Sequence, residues 1–217
     1  GQIPDRYKVN VRFLLERGRV FNSSKEKEQA IPLFTEALDL AMALNEDFYA
    51  IDAAHMLGIA EEPGKALEWN LKAIAMAEAS NDARARKWLG SLYNNTGWTE
   101  HDRGNYGDAQ ELFEKSLEWN IENGTEESIN IARWTVGRGL RSLKEYANAI
   151  EIQLELLEEG YDSGYVYEEL GEGFLLMGDD ERSSGYFRMA YEKLSEDAWL
   201  VKYEPERIQR LKELAGE

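Results

Sequence analysis

Five times along the chain a small residue is followed twelve positions later by another: Gly18 and Ala30, Ala54 and Ala66, Gly97 and Ala109, Gly137 and Ala149, Gly171 and Ser183. Small side chains at a fixed offset mark the place where the two helices of a hairpin approach backbone to backbone. Their recurrence every 34 to 43 residues is the period of a solenoid of helix pairs. The ladder therefore sets an architecture before any single residue suggests a chemistry.

The third repeat is the fullest and reads YNNTGWTEHDRGNYGDAQELFEKSLEW from Tyr93 to Trp119. Thr96 and Gly97 lie in its first helix, Gly104-Asn105-Tyr106 forms the turn, and Ala109, Phe113 and Leu117 recur every fourth position along the second helix. This segment resembles the tetratricopeptide repeat (TPR). The other repeats match it in the same phase: Gly18, Ala30, Phe34 and Ala37; Leu57, Ala66 and Ala73 after a Pro63-Gly64 turn; Gly137, Leu140, Tyr146 and Ala149; Leu170-Gly171, Phe174, Gly178, Phe187 and Ala190.

The resemblance implies an all-α fold, a right-handed α-solenoid of antiparallel helix pairs with longer central repeats. Pairs are expected at about 6–44, 46–80, 83–123, 125–160 and 163–194, after a tail at 1–5 and before a linker and C-terminal capping helix within 195–217. Local signals add detail. Asn81-Asp82 offers an N-cap for one helix from Ala83 to Asp102, and Thr125 and Asp162-Ser163 offer caps for later ones. Asn123-Gly124 offers a positive-φ helix end. Pro32 is expected to delay or kink the second helix of the first pair. Glu204-Pro205 begins a charged helix with Ile208, Leu211 and Leu214 on one stripe, suited to cover the end of the array. No such helix precedes the first pair, which leaves room there for a partner or for self-association.

Composition limits the function. The 217 residues carry 42 acids and 25 bases, a net charge of −17, which disfavours nucleic acid and anionic membranes as partners. The chain has no cysteine, so disulfides, thiol nucleophiles and thiolate metal sites do not arise. No apolar run reaches the length of a membrane span, and no signal core opens the sequence; the cytoplasm is the expected compartment. His101-Asp102 are helix neighbours that point about 100° apart, and two histidines without a third ligand make no zinc site. No phosphate loop or nucleophile motif is present. The chain is expected to be a non-catalytic scaffold with no cofactor and no metal. A ligand- or peptide-sensing module of a bacterial regulator, with its output domain outside this chain, is the alternative.

The resemblance also implies which side chains line the groove. Counted from the small residue of each first helix, the lining includes Arg12, Arg19, Phe48, His55, Asn94, Trp98, His101, Trp134, Arg138, Arg141 and Tyr165. Candidate peptide-binding residues are Arg19, His55, Asn94, Asn95, Trp98, His101, Trp134, Arg138 and Arg141. Arg138 and Arg141 lie three apart and are expected to fork a ligand carboxylate, Asn94 and Asn95 to pair with peptide backbone, and Trp98 and Trp134 to grip an apolar side chain. The expected partner is a protein or peptide with an acidic segment. A two-carboxylate clamp of the chaperone-binding kind is excluded, because Ile51, His55, Ile131 and Thr135 stand where its other polar residues belong.

Overall fold

The computed structural model describes residues 5–216, and every regular element among them is an α-helix. The chain forms two units, one through Trp119 and one from Asn120 onward. In the first unit α1 (Asp5–Ser23) pairs with α2 (Lys27–Ala43) and α3 (Asp47–Ala60) with α4 (Pro63–Ala79). The short α5 (Ala83–Arg86) leads into α6 (Leu89–Asp102), which packs on α7 (Tyr106–Asn123), the helix that runs through the division. In the second unit α8 (Glu126–Ser142) pairs with α9 (Tyr146–Glu158) and α10 (Gly164–Leu176) with α11 (Asp180–Leu194). There follow α12 (Ala198–Tyr203), which was not anticipated, and α13 (Pro205–Leu214), whose Leu211 is fully buried where the helix packs on α11.

The small-residue ladder has a more specific cause than close backbones alone. A Cβ at Gly18 would lie 2.4 Å from the ring of Phe34, one at Gly97 2.5 Å from Phe113, and one at Gly171 2.8 Å from Phe187. The ring sixteen positions on, fully buried in all three pairs, occupies the place on the first helix where a side chain would otherwise stand. Each such ring contributes about 1.5–3 kcal/mol by leaving water. At Gly137 the occupant is the amide of Gln153, 2.4 Å from the would-be Cβ. The second pair offsets the motif, with Asn70 pressed on Gly58 instead.

The turns repeat as closely as the packing. Seven positions after the small residue come Lys25, Gly104, Lys144 and Gly178, all with positive φ. In each case the next amide closes a six-residue loop back into the first helix, as in Glu26 N to Phe21 O at 2.9 Å and Asn105 N to Glu100 O at 3.0 Å. The second pair turns differently: Glu61 and Glu62 are extended and Pro63 opens α4, so Pro63-Gly64 starts a helix and is not itself the turn.

Other local expectations divide. Thr125 caps α8 through a reciprocal pair with Ser128. Gly124 does not take positive φ; its Cβ would lie 2.3 Å from Ser128 Oγ, so that cap itself requires a glycine. Ser163 gives α10 no side-chain cap, and Asp162 instead accepts from Tyr167 Oη at 2.7 Å and pairs with Lys193. Pro32 sits inside α2, which nevertheless begins at Lys27. The expected helix from Ala83 is capped by Asp82 but breaks at Lys87-Trp88. Of the expected N-terminal tail, residues 1–4 lie outside the described residues, while Asp5 already belongs to α1.

The ring-on-glycine contact predicts opposite outcomes at two glycines of one pair. Gly171→Ala should destabilise the second unit by about 1–3 kcal/mol. Gly185→Ala, in α11 with open space around it, should stabilise it by about 0.5–1 kcal/mol. Thermal unfolding followed by circular dichroism measures both, and an inverted order would contradict the packing described.

Candidate peptide-binding site

The first helices of the pairs carry all nine candidate residues, and their charges are joined in rungs. In the first unit Arg19 of α1 reaches α3, with Nη2 at 2.5 Å and 2.7 Å from the two carboxylate oxygens of Asp52, and its Nη1 is 2.7 Å from Glu16. Asp52 is buried, and desolvation raises its pKa against the opposing pull of Arg19. One turn further along α3, His55 is only 8% exposed and its ring rests 5.5 Å from that of Trp88. Among the described residues neither His55 Nδ1 nor Trp88 Nε1 has a hydrogen-bond partner. Desolvation lowers the pKa of His55, and the Asp52 carboxylate partly offsets this. His55 is thus a core side chain; its ring faces Trp88 and not an open surface.

The rest of the unit-one set lies on α6. Asn94 Nδ2 donates to Asn95 Oδ1 at 3.3 Å, and Asn95 is exposed. The Trp98 ring lies 5.2 Å from His101 and 5.0 Å from Phe113, and His101 lies 5.0 Å from Tyr106. His101 Nδ1 is 3.9 Å from Asp102 Oδ1, too far for a hydrogen bond. Among the described residues no cluster of His, Cys, Asp and Glu could hold a metal.

In the second unit the arginine fork is occupied by the chain's own Glu169. Arg141 binds it in two places, Nε to Oε2 at 2.7 Å and Nη2 to Oε1 at 3.2 Å, and Arg138 adds Nη1 to Oε1 at 3.1 Å. The expectation that both arginines stand open to a ligand carboxylate is revised on this point. Arg141 is committed and largely buried, whereas Arg138 uses one nitrogen and keeps 30% of its side chain exposed. Burial pushes the Glu169 carboxyl up to about 7, against Arg141. Its neighbours on α10 are tied to α13: Glu168 to Arg207 and Glu172 to Arg210.

Beside this rung Trp134 Nε1 donates to the Tyr165 carbonyl at 3.1 Å, with the rings edge to face at 6.1 Å. Together with Glu127, Ile131, Tyr161 and Ser163 they line a cleft of about 430 Å³. Ile131, Trp134 and Arg138 fall at i, i+3 and i+7, one stripe of α8. The acids that neutralise the arginines, Asp52 and Glu169, were missed because only the lining positions were counted. A signal existed: Arg19 and Asp52 are 33 residues apart, and Arg138 and Glu169 31, about one repeat.

Two titrations follow. The His55 ring should titrate below the ordinary value of about 6.5, and Asp52→Asn should lower its midpoint further, read by proton NMR; a rise would contradict the arrangement. For Glu169 the fold favours the neutral acid, so this group's contribution to stability is present at low pH and is lost as pH rises toward 7. The wild type should lose stability relative to Glu169→Gln from pH 5 to pH 7.5 in urea unfolding, and a relative gain would show that the ion pair dominates.

No protein-family model matches the sequence, and no curated protein matches it. Solved structures do. The TPR-like repeats of a kinesin light chain from Podospora anserina superimpose with a TM-score of 0.72 at 13% identity, covering 91% of this chain and 99% of that one. Pseudomonas aeruginosa PilF gives 0.65 at 16%, covering 86% and 77%. MamA from MSR-1 gives 0.59 at 20%, covering 88% and 99%. At such identities the likeness is one of fold, and it agrees with the helix pairs and the small-residue ladder. The chain has the fold of the tetratricopeptide-like helical repeats.

Proposed function

We propose that the chain is a non-catalytic protein-interaction scaffold that takes an extended or helical segment of a partner protein on the exposed sides of its first helices. The observation that carries this reading is the Ile131–Trp134–Tyr165 cleft with Arg138 beside it on the same stripe of α8. An apolar or aromatic side chain of the segment seats between Trp134 and Tyr165, the kind of aromatic anchor that dominates binding energy. A carboxylate of the same segment meets the unused donors of Arg138. One helical turn separates Trp134 from Arg138, which an extended peptide spans in about two residues at about 3.3 Å each. The preferred segment is thus an apolar residue followed or preceded two positions away by Asp or Glu.

In the first unit Asn94 and Asn95 supply a donor and an acceptor for peptide backbone, with Trp98 and His101 as the adjoining aromatic surface. Arg19, His55 and Arg141 serve differently: each is engaged within the fold and keeps the first helices in register. The cytoplasm remains the compartment we favour. Among the described residues no helix is long and apolar enough to cross a membrane.

Selection from a random linear-peptide library on the immobilised protein tests the reading. Enriched sequences should pair an apolar residue with an acid at that spacing. Trp134→Ala and Arg138→Gln should each weaken a selected peptide by about tenfold or more, equivalent to about 1.4 kcal/mol, with helical signal unchanged. Enrichment of basic peptides, or binding indifferent to both variants, would refute it.

A further inference from the structure

The first helix of the first unit has two apolar faces. Val11, Leu14, Leu15 and Gly18 are buried against α2 and α3. At about 100° per residue, Val9, Phe13 and Val20 fall together on the opposite side, and Phe13 and Val20 are 57% and 64% exposed. Large apolar residues scattered singly over a surface mean little, but Val9 and Phe13, one turn apart on one stripe of one helix, adjoin, and Val20 continues the stripe two turns on. The stripe is flanked by the exposed Arg12 on one side and Arg17 on the other. Glu16 interrupts the stripe between Phe13 and Val20 and is bonded to Arg19, while Arg12 and Arg17 make the flanks beside Phe13 cationic in a chain of net charge −17.

The second unit carries a face of the opposite kind. On α12, Leu200 is buried while Trp199 and Tyr203, four apart on one side of the helix, stand out, with Trp199 57% exposed and its ring 5.3 Å from Tyr203. The exposed acids Glu196, Asp197 and Glu206 flank them in sequence, against Lys202, whose ammonium lies over Tyr203. Asp197 is held in place as the α12 cap, accepting from Trp199 N at 2.8 Å.

We propose that the chain associates with itself head to tail, the α1 stripe of one copy docking on the α12 patch of the next. Each face is apolar at its centre, and the two rims have opposite charge, so unlike faces attract while α1 against α1, or α12 against α12, sets like charges together. Two different patches meet in such a contact, so a dimer keeps one free face of each kind to which a further copy adds. Its charged rims make it weaker at high salt, where the screening length falls to a few ångström. The cleft at Trp134 takes no part.

Sedimentation velocity of the wild-type chain from about 1 µM to about 500 µM should show a mass that rises with concentration and falls back in 1 M salt. Phe13→Glu blocks one face and Trp199→Glu the other, so each variant alone should be monomeric throughout. An equimolar mixture of the two should give a heterodimer and nothing larger, because one intact face of each kind remains. A wild type monomeric at about 500 µM would overturn the proposal. So would assembly lost in Phe13→Glu but kept in Trp199→Glu, which means that α1 pairs with something other than α12, or a mixture that forms no heterodimer. Both residues are exposed, and circular dichroism checks the fold; if either variant unfolds, Phe13→Ser and Trp199→Ser carry the same test.

Discussion

An aromatic ring packed against bare backbone is the contact from which the rest of the structure follows. Phe34, Phe113 and Phe187 can reach the first helices of their pairs only because Gly18, Gly97 and Gly171 present no Cβ. Once the second helix is seated there, the turn between the two helices has little freedom, and Lys25 and Lys144 accept a left-handed conformation that costs a non-glycine residue about 1–2 kcal/mol. In the fourth pair the ring is replaced by Gln153, whose Nε2 donates to the Trp134 carbonyl at 3.1 Å. An amide is directional where a ring is not. It therefore fixes the backbone of α8 at the residue that forms one wall of the cleft.

Within each unit, ionic rungs complement this packing by joining one pair to the next. Arg19–Asp52 links α1 to α3, Arg138 and Arg141 with Glu169 link α8 to α10, and Arg207 and Arg210 link α13 to α10. Asp52 and Glu169 are almost out of water, and burial works against their negative charge even beside the arginines. Such rungs do more for register than for net stability, since desolvation offsets most of the attraction. Along a stack of near-identical helices, register is what must be specified.

Much of this was legible in the residues. The Gly/Ala spacing marked the close approach at Gly18, Gly97, Gly137 and Gly171, because a missing Cβ is a steric fact that survives without knowledge of the partner; in the second pair the approach falls at Gly58, four residues past the ladder position. The cap at Thr125 and the apolar stripe of α13 were local and equally readable. What escaped were properties that depend on residues far apart in sequence. Glu169 could not be recognised as the occupant of the arginine fork from α8 alone, and the burial of His55 depends on Trp88 arriving from another pair. Gly124 was assigned the right place for the wrong reason, since the Thr125–Ser128 cap needs space at that position and not an unusual φ. The cleft at Trp134 required both the α8 stripe and the Tyr161–Tyr165 segment, which only the fold brings together.

The break between α5 and α6 has a consequence for the winding of the chain. At Trp88 the amide bonds Ala85 O at 3.2 Å, one residue closer than in an α-helix, before Leu92 N returns to Trp88 O at 2.9 Å. A residue wound on the tighter pattern advances by about 120° instead of about 100°, so α6 starts slightly out of phase with α5. Arg84 and Trp88 both meet the ring of Phe48, the guanidinium from the exposed side and the indole between Phe48 and His55. An uninterrupted helix would carry its phase unchanged from the basic turn into the glycine-bearing one; the tighter residue turns the second by about 20° relative to the first.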